Sequence, residues 1–563
     1  MSREAFVNIM MDGGLDRREL VKRLVALGVA APVAAALAER GQGAGAAPVA
    51  SSAARLPAAQ ESDGTLIVAT EADIESFDPG HAIALASTRV NYAIYEGLLK
   101  YTPGTTDLEP LLATEMPTLE NGGISEDGLT YTFKLREGVK FHDGADFNAE
   151  AVRMSYRRLI DKEFEHYDDT NTAGFFLGDL TSVDPVDEHT VTFTLSKPNA
   201  AFLTLSNVYA GKIMSPKAIQ EVPVAQWGEG SYGTGPFVAS AWDKGISATL
   251  VRNEDYWGTK PSLKTLVFQP IIEPTARVAA LLNGEVDMIV VVPPDSIQSI
   301  KDDPNLTYEQ GDSLQRWFIQ LNTKEGPFAD KRVRQAVNYA VNKEGLAHDV
   351  LRDSAVPATQ PMAPAHWTYN PDITGYPYDP EKAKALLQEA GVGDGFSTTL
   401  MIPQSGSGMM IPVPMNEFIQ GNLREVGVDV QIQSYEWVSY LGLWTQGLNA
   451  DVTMANMSTL ETGEPYFIHF QLSGDFTPDK GGWNVGYYDN PEVTKLLAEA
   501  LATPDDAQRK ALYEKTWELV VDDAPWIFVV NDLQPMAFKN SVTGYLTSPS
   551  YVIDFTTISN TPQ

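Results

Sequence analysis

The 563-residue chain contains no cysteine. Disulfides, thiolate nucleophiles, iron–sulfur clusters and thiolate-bound zinc are therefore excluded, as is lipid attachment at a cysteine. It is also poor in histidine. The seven, His81, His142, His166, His189, His348, His366 and His469, are scattered, with no i, i+4 pair of the kind that holds zinc on a helix. The usual phosphate-loop, dinucleotide and nucleophile-elbow motifs are missing. Ser405-Gly406-Ser407-Gly408 reads as a flexible loop. Positive charge is scarce, with 41 Lys and Arg against 74 Asp and Glu and a net charge of −33. A surface so acidic repels phosphate backbones and anionic headgroups, which argues against nucleic-acid and peripheral membrane binding. No catalytic residue, metal or cofactor is expected.

Beyond the N-terminus no apolar run approaches the ~20 residues of a spanning helix. What the N-terminus does have is layered. Asp16-Arg17-Arg18-Glu19-Leu20-Val21-Lys22 precedes an apolar stretch from Leu24 to Ala38, and a Gly/Ala/Pro/Ser tract runs from Gly41 to Gln60. This is the layout of an export signal, and its paired arginines resemble a twin-arginine signal. The expectation is a protein at the periplasmic or extracellular face of the membrane and not a lipoprotein. Cleavage near Ala44-Gly45-Ala46 is the first reading, and an uncleaved anchor with a flexible tether is the alternative.

From Gly64 onward strands and helices alternate. Thr65–Thr70 reads as a buried strand, Ser87–Leu99 as a helix and Leu129–Leu135 as a half-buried strand. Asn148 is placed to cap a helix over Ala149–Ile160, and Val183–Leu195 reads as a hairpin turning at Asp184–Glu188. Further on, Trp317–Asn322, Val428–Ser434 and Trp526–Val530 read as strands. Asp330–Val341, Pro380–Ala390, Met415–Val426, Pro491–Leu501 and Asp505–Val521 read as helices. The class is α/β with a mixed α+β portion, and the length calls for two or three cores.

Several segments then line up in order. They are Tyr95-Glu96-Gly97-Leu98-Leu99, Leu108–Ala113, the long run Asp127–Gly144, Gly233-Thr234-Gly235-Pro236-Phe237, Asn253–Trp257, Ala280–Asp287, Leu321–Thr323 with Phe328–Ala336, and Tyr378–Ala383. Together they resemble the family 5 bacterial extracellular solute-binding proteins, the dipeptide, oligopeptide and nickel binders of ABC importers, over roughly residues 64–550. The resemblance implies a two-lobed, periplasmic-binding-protein type II fold with an inserted subdomain. Residues 1–63 would be signal and linker. Residues 64–92, 229–313 and 531–563 would form lobe one, 93–228 the insert and 314–530 lobe two, with chain crossings near Gln315–Phe318 and Trp526–Val530. His142 is expected to be structural.

It further implies a monomer that captures a small ligand by cleft closure and passes it to a membrane permease. Oligopeptides are the favoured ligand class and oligosaccharides the second. An exported hydrolase, or a chaperone or sensor of the same fold, is the alternative. Peptide binders of this family carry a loop resembling G-W-x-x-D-x-x-[DE]-P, whose aspartate pairs with the peptide ammonium. Here Glu461 takes the aspartate's place in Asn456–Pro465, and the tryptophan is missing. The segment Ile402–Pro412, where dipeptide binders place a carboxylate-clamping arginine, has no basic residue, which argues against strict dipeptide specificity. The remaining candidates are the aromatic residues Trp437, Tyr440, Trp483, Tyr487 and Tyr232, with Asn484 and, beside the first strand, Glu71 and Ala72.

Overall fold

The computed structural model describes residues 64–561 apart from 82–83 and 407. The export-signal expectation falls on residues 1–63, outside the described residues.

The fold is organised by two large sheets. In the first the strand order is Leu306–Glu309, Met536–Lys539, Met288–Val290, Thr65–Thr70, Thr265–Pro270, Ser247–Arg252, Phe237–Asp243. Thr65–Thr70 lies between two parallel neighbours, and Leu66, Val68 and Ala69 are wholly buried. That is why this strand reads as an apolar run rather than an alternation. The second sheet runs Ala355–Pro357, Trp526–Asp532, Gln315–Leu321, Met454–Leu460, Phe396–Pro403, Val428–Tyr435. Its centre is the antiparallel trio Trp526–Asp532, Gln315–Leu321 and Met454–Leu460. There Phe318 stacks on Trp526 with ring centroids 4.0 Å apart. Among the described residues no helix is long and apolar enough to cross a membrane.

A separate small sheet, Thr130–Lys134, Thr190–Leu195 and Leu180–Asp187, packs with the helix Ala149–Ile160 around its own core. Asn148 caps that helix by accepting from the Ala151 N–H at 3.0 Å. The hairpin turns at Glu188–His189, not at Asp184–Glu188. Pro185 sits instead in the edge strand, beside a register shift, where no ladder hydrogen bond is required of it. The helix expected over Ser87–Leu99 spans Leu85–Ile94. It stops at Tyr95, whose backbone is extended (φ −118°, ψ 143°), and the chain runs on past Gly97, where a Cβ would lie 2.7 Å from the Asn207 carbonyl oxygen, into the strand Leu99–Tyr101.

The chain passes between the large sheets at residues 310–314 and 533–535. Gln315–Phe318 and Trp526–Val530, near which the crossings are expected, belong to strands of the second sheet, and the crossings lie just beside them. The crossings are tied to each other. Gly311 N–H donates to the Leu533 carbonyl at 2.9 Å, and Ser313 Oγ donates to the Asp532 carbonyl at 2.8 Å.

Candidate ligand-binding site

The strand Met454–Leu460 runs into the loop Glu461–Pro465, which leads into the helix Phe467–Leu472. Antiparallel pairing sets Arg316 opposite Thr459 and so beside Glu461. Glu461 is 1% exposed. Its Oε1 accepts from the N–H groups of Thr462, Tyr466 and Phe467 at 3.1, 2.9 and 2.9 Å. Its Oε2 accepts from Ile468 N–H at 3.0 Å and from Arg316 Nη1 at 3.0 Å. The other Arg316 Nη donates to Gln471 Oε1 at 3.0 Å, and Gln471 in turn donates to Thr459 Oγ1 at 2.8 Å. A carboxylate has about four lone-pair sites, and five donors already occupy this one. The sequence expectation that Glu461 pairs with a ligand ammonium is not matched by this geometry. The charge is neutralised by Arg316, and the carboxylate serves as the N-terminal cap of the helix Phe467–Leu472.

The aromatic candidates divide. Tyr440 is fully buried, and its hydroxyl donates to the Asn456 carbonyl, so its role is structural. Trp437, at the start of the helix Trp437–Trp444, is half-buried and nearly parallel to the Tyr440 ring at 6.1 Å. It closes over Gly406, where a Cβ would meet its ring at 2.5 Å. Gly408 lies against Gln315, which bonds Ser458; since neighbouring residues of a strand point to opposite faces, this contact is on the face opposite the Arg316–Thr459 network that holds Glu461.

Trp483 lies partly exposed between two phenylalanines. Phe467 is at 5.7 Å with an interplanar angle of 10°, and Phe175 is at 5.5 Å with 16°. Phe175 comes from the insert and remains 44% exposed. The stack therefore joins the insert to the second lobe, as does the bond from Gly463 N–H to Tyr101 Oη at 3.0 Å. Sequence reasoning missed Phe175, Phe467 and Arg316. The available signals were adjacent phenylalanines between glycines, Gly174-Phe175-Phe176-Leu177-Gly178, and an arginine at the head of an apolar strand.

Asn484 does not reach toward a ligand. Its amide donates to the Ser473 and Tyr488 carbonyls at 3.1 and 2.6 Å, and its Oδ1 accepts from Tyr488 N–H at 3.0 Å. Tyr487 has a left-handed backbone (φ 55°) and faces a groove with Lys324, whose ammonium is 4.7 Å from its ring. Glu71 follows the first strand and is held by Arg89 Nη1 at 2.9 and 2.8 Å, with Ala72 partly exposed beside it. Tyr232 lies against Tyr95 and Gly230, apart from the second-sheet cluster. His142 bridges Ser231 Oγ at 2.9 Å and the Gly235 carbonyl at 3.0 Å, a structural bracket.

Between first lobe and insert, Arg158 grips Asp78 with two bonds of 3.0 and 2.7 Å, and His81 Nε2 meets Asp168 at 2.7 Å. The hydrogen bond to Asp168 raises the His81 pKa, while this network draws Asp168 down to about 2. Asp78, His81 and Asp168 approach closely enough to suggest a cation site. The Arg158 guanidinium already supplies the positive charge, and the group is an ion-pair network.

Two large sheets joined by paired crossings, with a small sheet on its own core, define a bilobal solute receptor. The match to known proteins is specific. Residues 107–479 fit the model of the bacterial extracellular solute-binding proteins, family 5. The chain is 32% identical to a heme-binding protein A of Haemophilus influenzae, covering 88% of this chain and 92% of that one. It is 30% identical to a di/tripeptide-binding protein of Pseudomonas aeruginosa, with 89% and 96% covered. A periplasmic binding protein, DppA, of Helicobacter pylori in complex with the peptide STSA superposes with a TM-score of 0.77 at 29% identity, covering 88% of this chain and 98% of that one. The chain belongs to the family 5 extracellular solute-binding proteins.

Proposed function

We propose that this chain is the extracytoplasmic receptor of an ABC importer and captures a peptide-like solute between its lobes for delivery to a membrane permease. The observation that carries the reading is the pair of hydrogen-bonded crossings between two independent sheets, in a chain that belongs to this receptor family. Ligand that touches both lobes only when they are shut favours the shut state, because it binds that state more tightly. We take residues 64–92, 229–313 and 531–563 as lobe one, 93–228 as the insert and 314–530 as lobe two, with the hinge at 310–314 and 533–535. Binding rather than turnover is the activity, the receptor acts as a monomer, and export follows a twin-arginine route without lipidation.

Within the cleft we assign the anchoring role to exposed aromatic surface, Trp437 on one side and the Phe175–Trp483 stack on the other, rather than to Glu461. Rings of this kind give large contact area at low entropic cost. A thermal-shift panel of di- to pentapeptides, heme and oligosaccharides on the full chain tests the assignment. Ligand at 100 times its Kd adds about 2.7 kcal/mol to native stability. A peptide response that Trp437→Ala removes supports the reading. A response to oligosaccharides alone replaces the ligand class, and hydrolysis of a panel member replaces the receptor reading with an enzyme.

A further inference from the structure

A cavity of about 360 Å³ opens at the seam between the insert and the first lobe, away from the cleft aromatics. Its wall combines Tyr92, Tyr101, the Tyr256–Trp257 pair and, near the C-terminus, Leu546 and residues 552–557, and three carboxylates and two lysines line it. Four of those five charges have partners. Glu96, 3% exposed, accepts from Thr234 Oγ1 and Trp257 Nε1, both at 2.8 Å, and from Tyr256 Oη at 2.7 Å. Lys100 sits 3.3 Å from Glu109 and 3.7 Å from Asp554.

The fifth charge is different. Lys212 is 5% exposed, yet among the described residues its ammonium has no hydrogen-bond acceptor and rests only on the Tyr92 ring, 3.8 Å from the centroid. Burial draws its pKa down to about 7 against the opposing pull of Glu96. An ammonium offers three donors and no acceptor, and an unpaired buried cation is costly. The backbone holds it there. Gly211 before it packs on the Ser206 carbonyl, where a Cβ would lie 1.2 Å from the oxygen, and Ile213 N–H after it donates to the Glu96 carbonyl at 2.9 Å.

We propose that this seam cavity is a second ligand site, which takes a small monocarboxylate whose carboxylate pairs with Lys212 and whose uncharged remainder lies against the aromatic wall. The volume suits a small molecule. A charge-assisted bond to the ammonium supplies the acceptor that the protein does not. A second anionic group is disfavoured because Glu96, Glu109 and Asp554 share the cavity. Occupancy would cross-link insert and first lobe independently of the solute in the cleft.

The test is thermal unfolding of the full chain in millimolar sodium benzoate or butyrate, against sodium chloride at equal ionic strength. The expected result is a melting temperature raised by at least one carboxylate above the chloride control, with the increment absent in Lys212→Met. Equal shifts in carboxylate and chloride, or an increment that survives Lys212→Met, would overturn the proposal. Should Lys212→Met fail to fold, crystals of the wild-type protein soaked in 4-bromobenzoate decide. A bromine anomalous peak in the seam cavity supports the site, and its absence from that cavity refutes it.

Discussion

Glu461 offers the sharpest test, because two roles for one carboxylate predict opposite outcomes. In this structure it receives four backbone N–H groups and the Arg316 guanidinium while 1% exposed. Glu461→Gln would set an amide NH2 against those donors and leave Arg316, 3% exposed at its side chain, with the neutral Gln471 amide and the Met362 sulfur as its remaining partners. Removing one member of a buried ion pair costs about 3–5 kcal/mol. The surviving amide oxygen keeps some backbone bonds, so about 3 kcal/mol is expected in urea unfolding of the ligand-free protein. The double variant Arg316→Met with Glu461→Gln should lose less than the sum of the singles, since the pair is coupled. The ligand side follows. If Glu461 is committed internally, N-acetylation of a tripeptide that binds should change its Kd less than about threefold, because no carboxylate here awaits the ammonium. A buried ammonium–carboxylate contact is worth at least about 2 kcal/mol on truncation, roughly thirtyfold. A thirtyfold loss on acetylation, with Glu461→Gln folding as stably as wild type, would refute the reasoning.

Phe175→Ala should lower folding stability by less than about 1.5 kcal/mol, the scale of an aromatic pair, while weakening peptide binding measured by calorimetry; unchanged affinity would remove Phe175 from the cleft wall. Arg158→Met should be severe, about 3–5 kcal/mol by urea unfolding, because it leaves Asp78, 1% exposed, without its two-bond partner. Asp532, at the second crossing, has its carboxyl pushed up to about 7 by burial. Between about pH 4 and 7 the folded state then holds a proton that the unfolded state has lost, so this group's contribution falls as pH rises, by at most about 1.4 kcal/mol per unit. His366 and His469, drawn down to about 3 by burial, act in the opposite sense, so the readout is the difference between wild type and Asp532→Asn across that window. The wild-type advantage should shrink steadily toward pH 7, and a flat difference would contradict the assignment.

Family, fold class and the local grammar of caps and strands are written in short stretches of sequence. Asn148, Asp330 and Asp379 each cap the helix that their position announces, because a cap is satisfied by an N–H two or three residues away. The buried strand at Thr65–Thr70 and the helix Ala149–Ile160 were legible for the same reason of short range. Locality also limited the reading. Asp184-Pro185 has the composition of a turn, but the edge position in the small sheet let the strand run through it. Apolar spacing extends the expected helix past Ile94, but Tyr95 turns extended and the following strand Leu99–Tyr101 pairs with Leu108–Pro110, a partner that is not local. The candidate site depended most on the tertiary structure. Glu461 is the expected carboxylate, but its partner Arg316 lies 145 residues earlier and meets it only through the pairing of Gln315–Leu321 with Met454–Leu460. Trp483 was recognised as an aromatic candidate, while its stacking partner Phe175 comes from the insert. Lys212 looks like any surface lysine in sequence; the fold buries it against the Tyr92 ring, which lies 120 residues earlier in the chain.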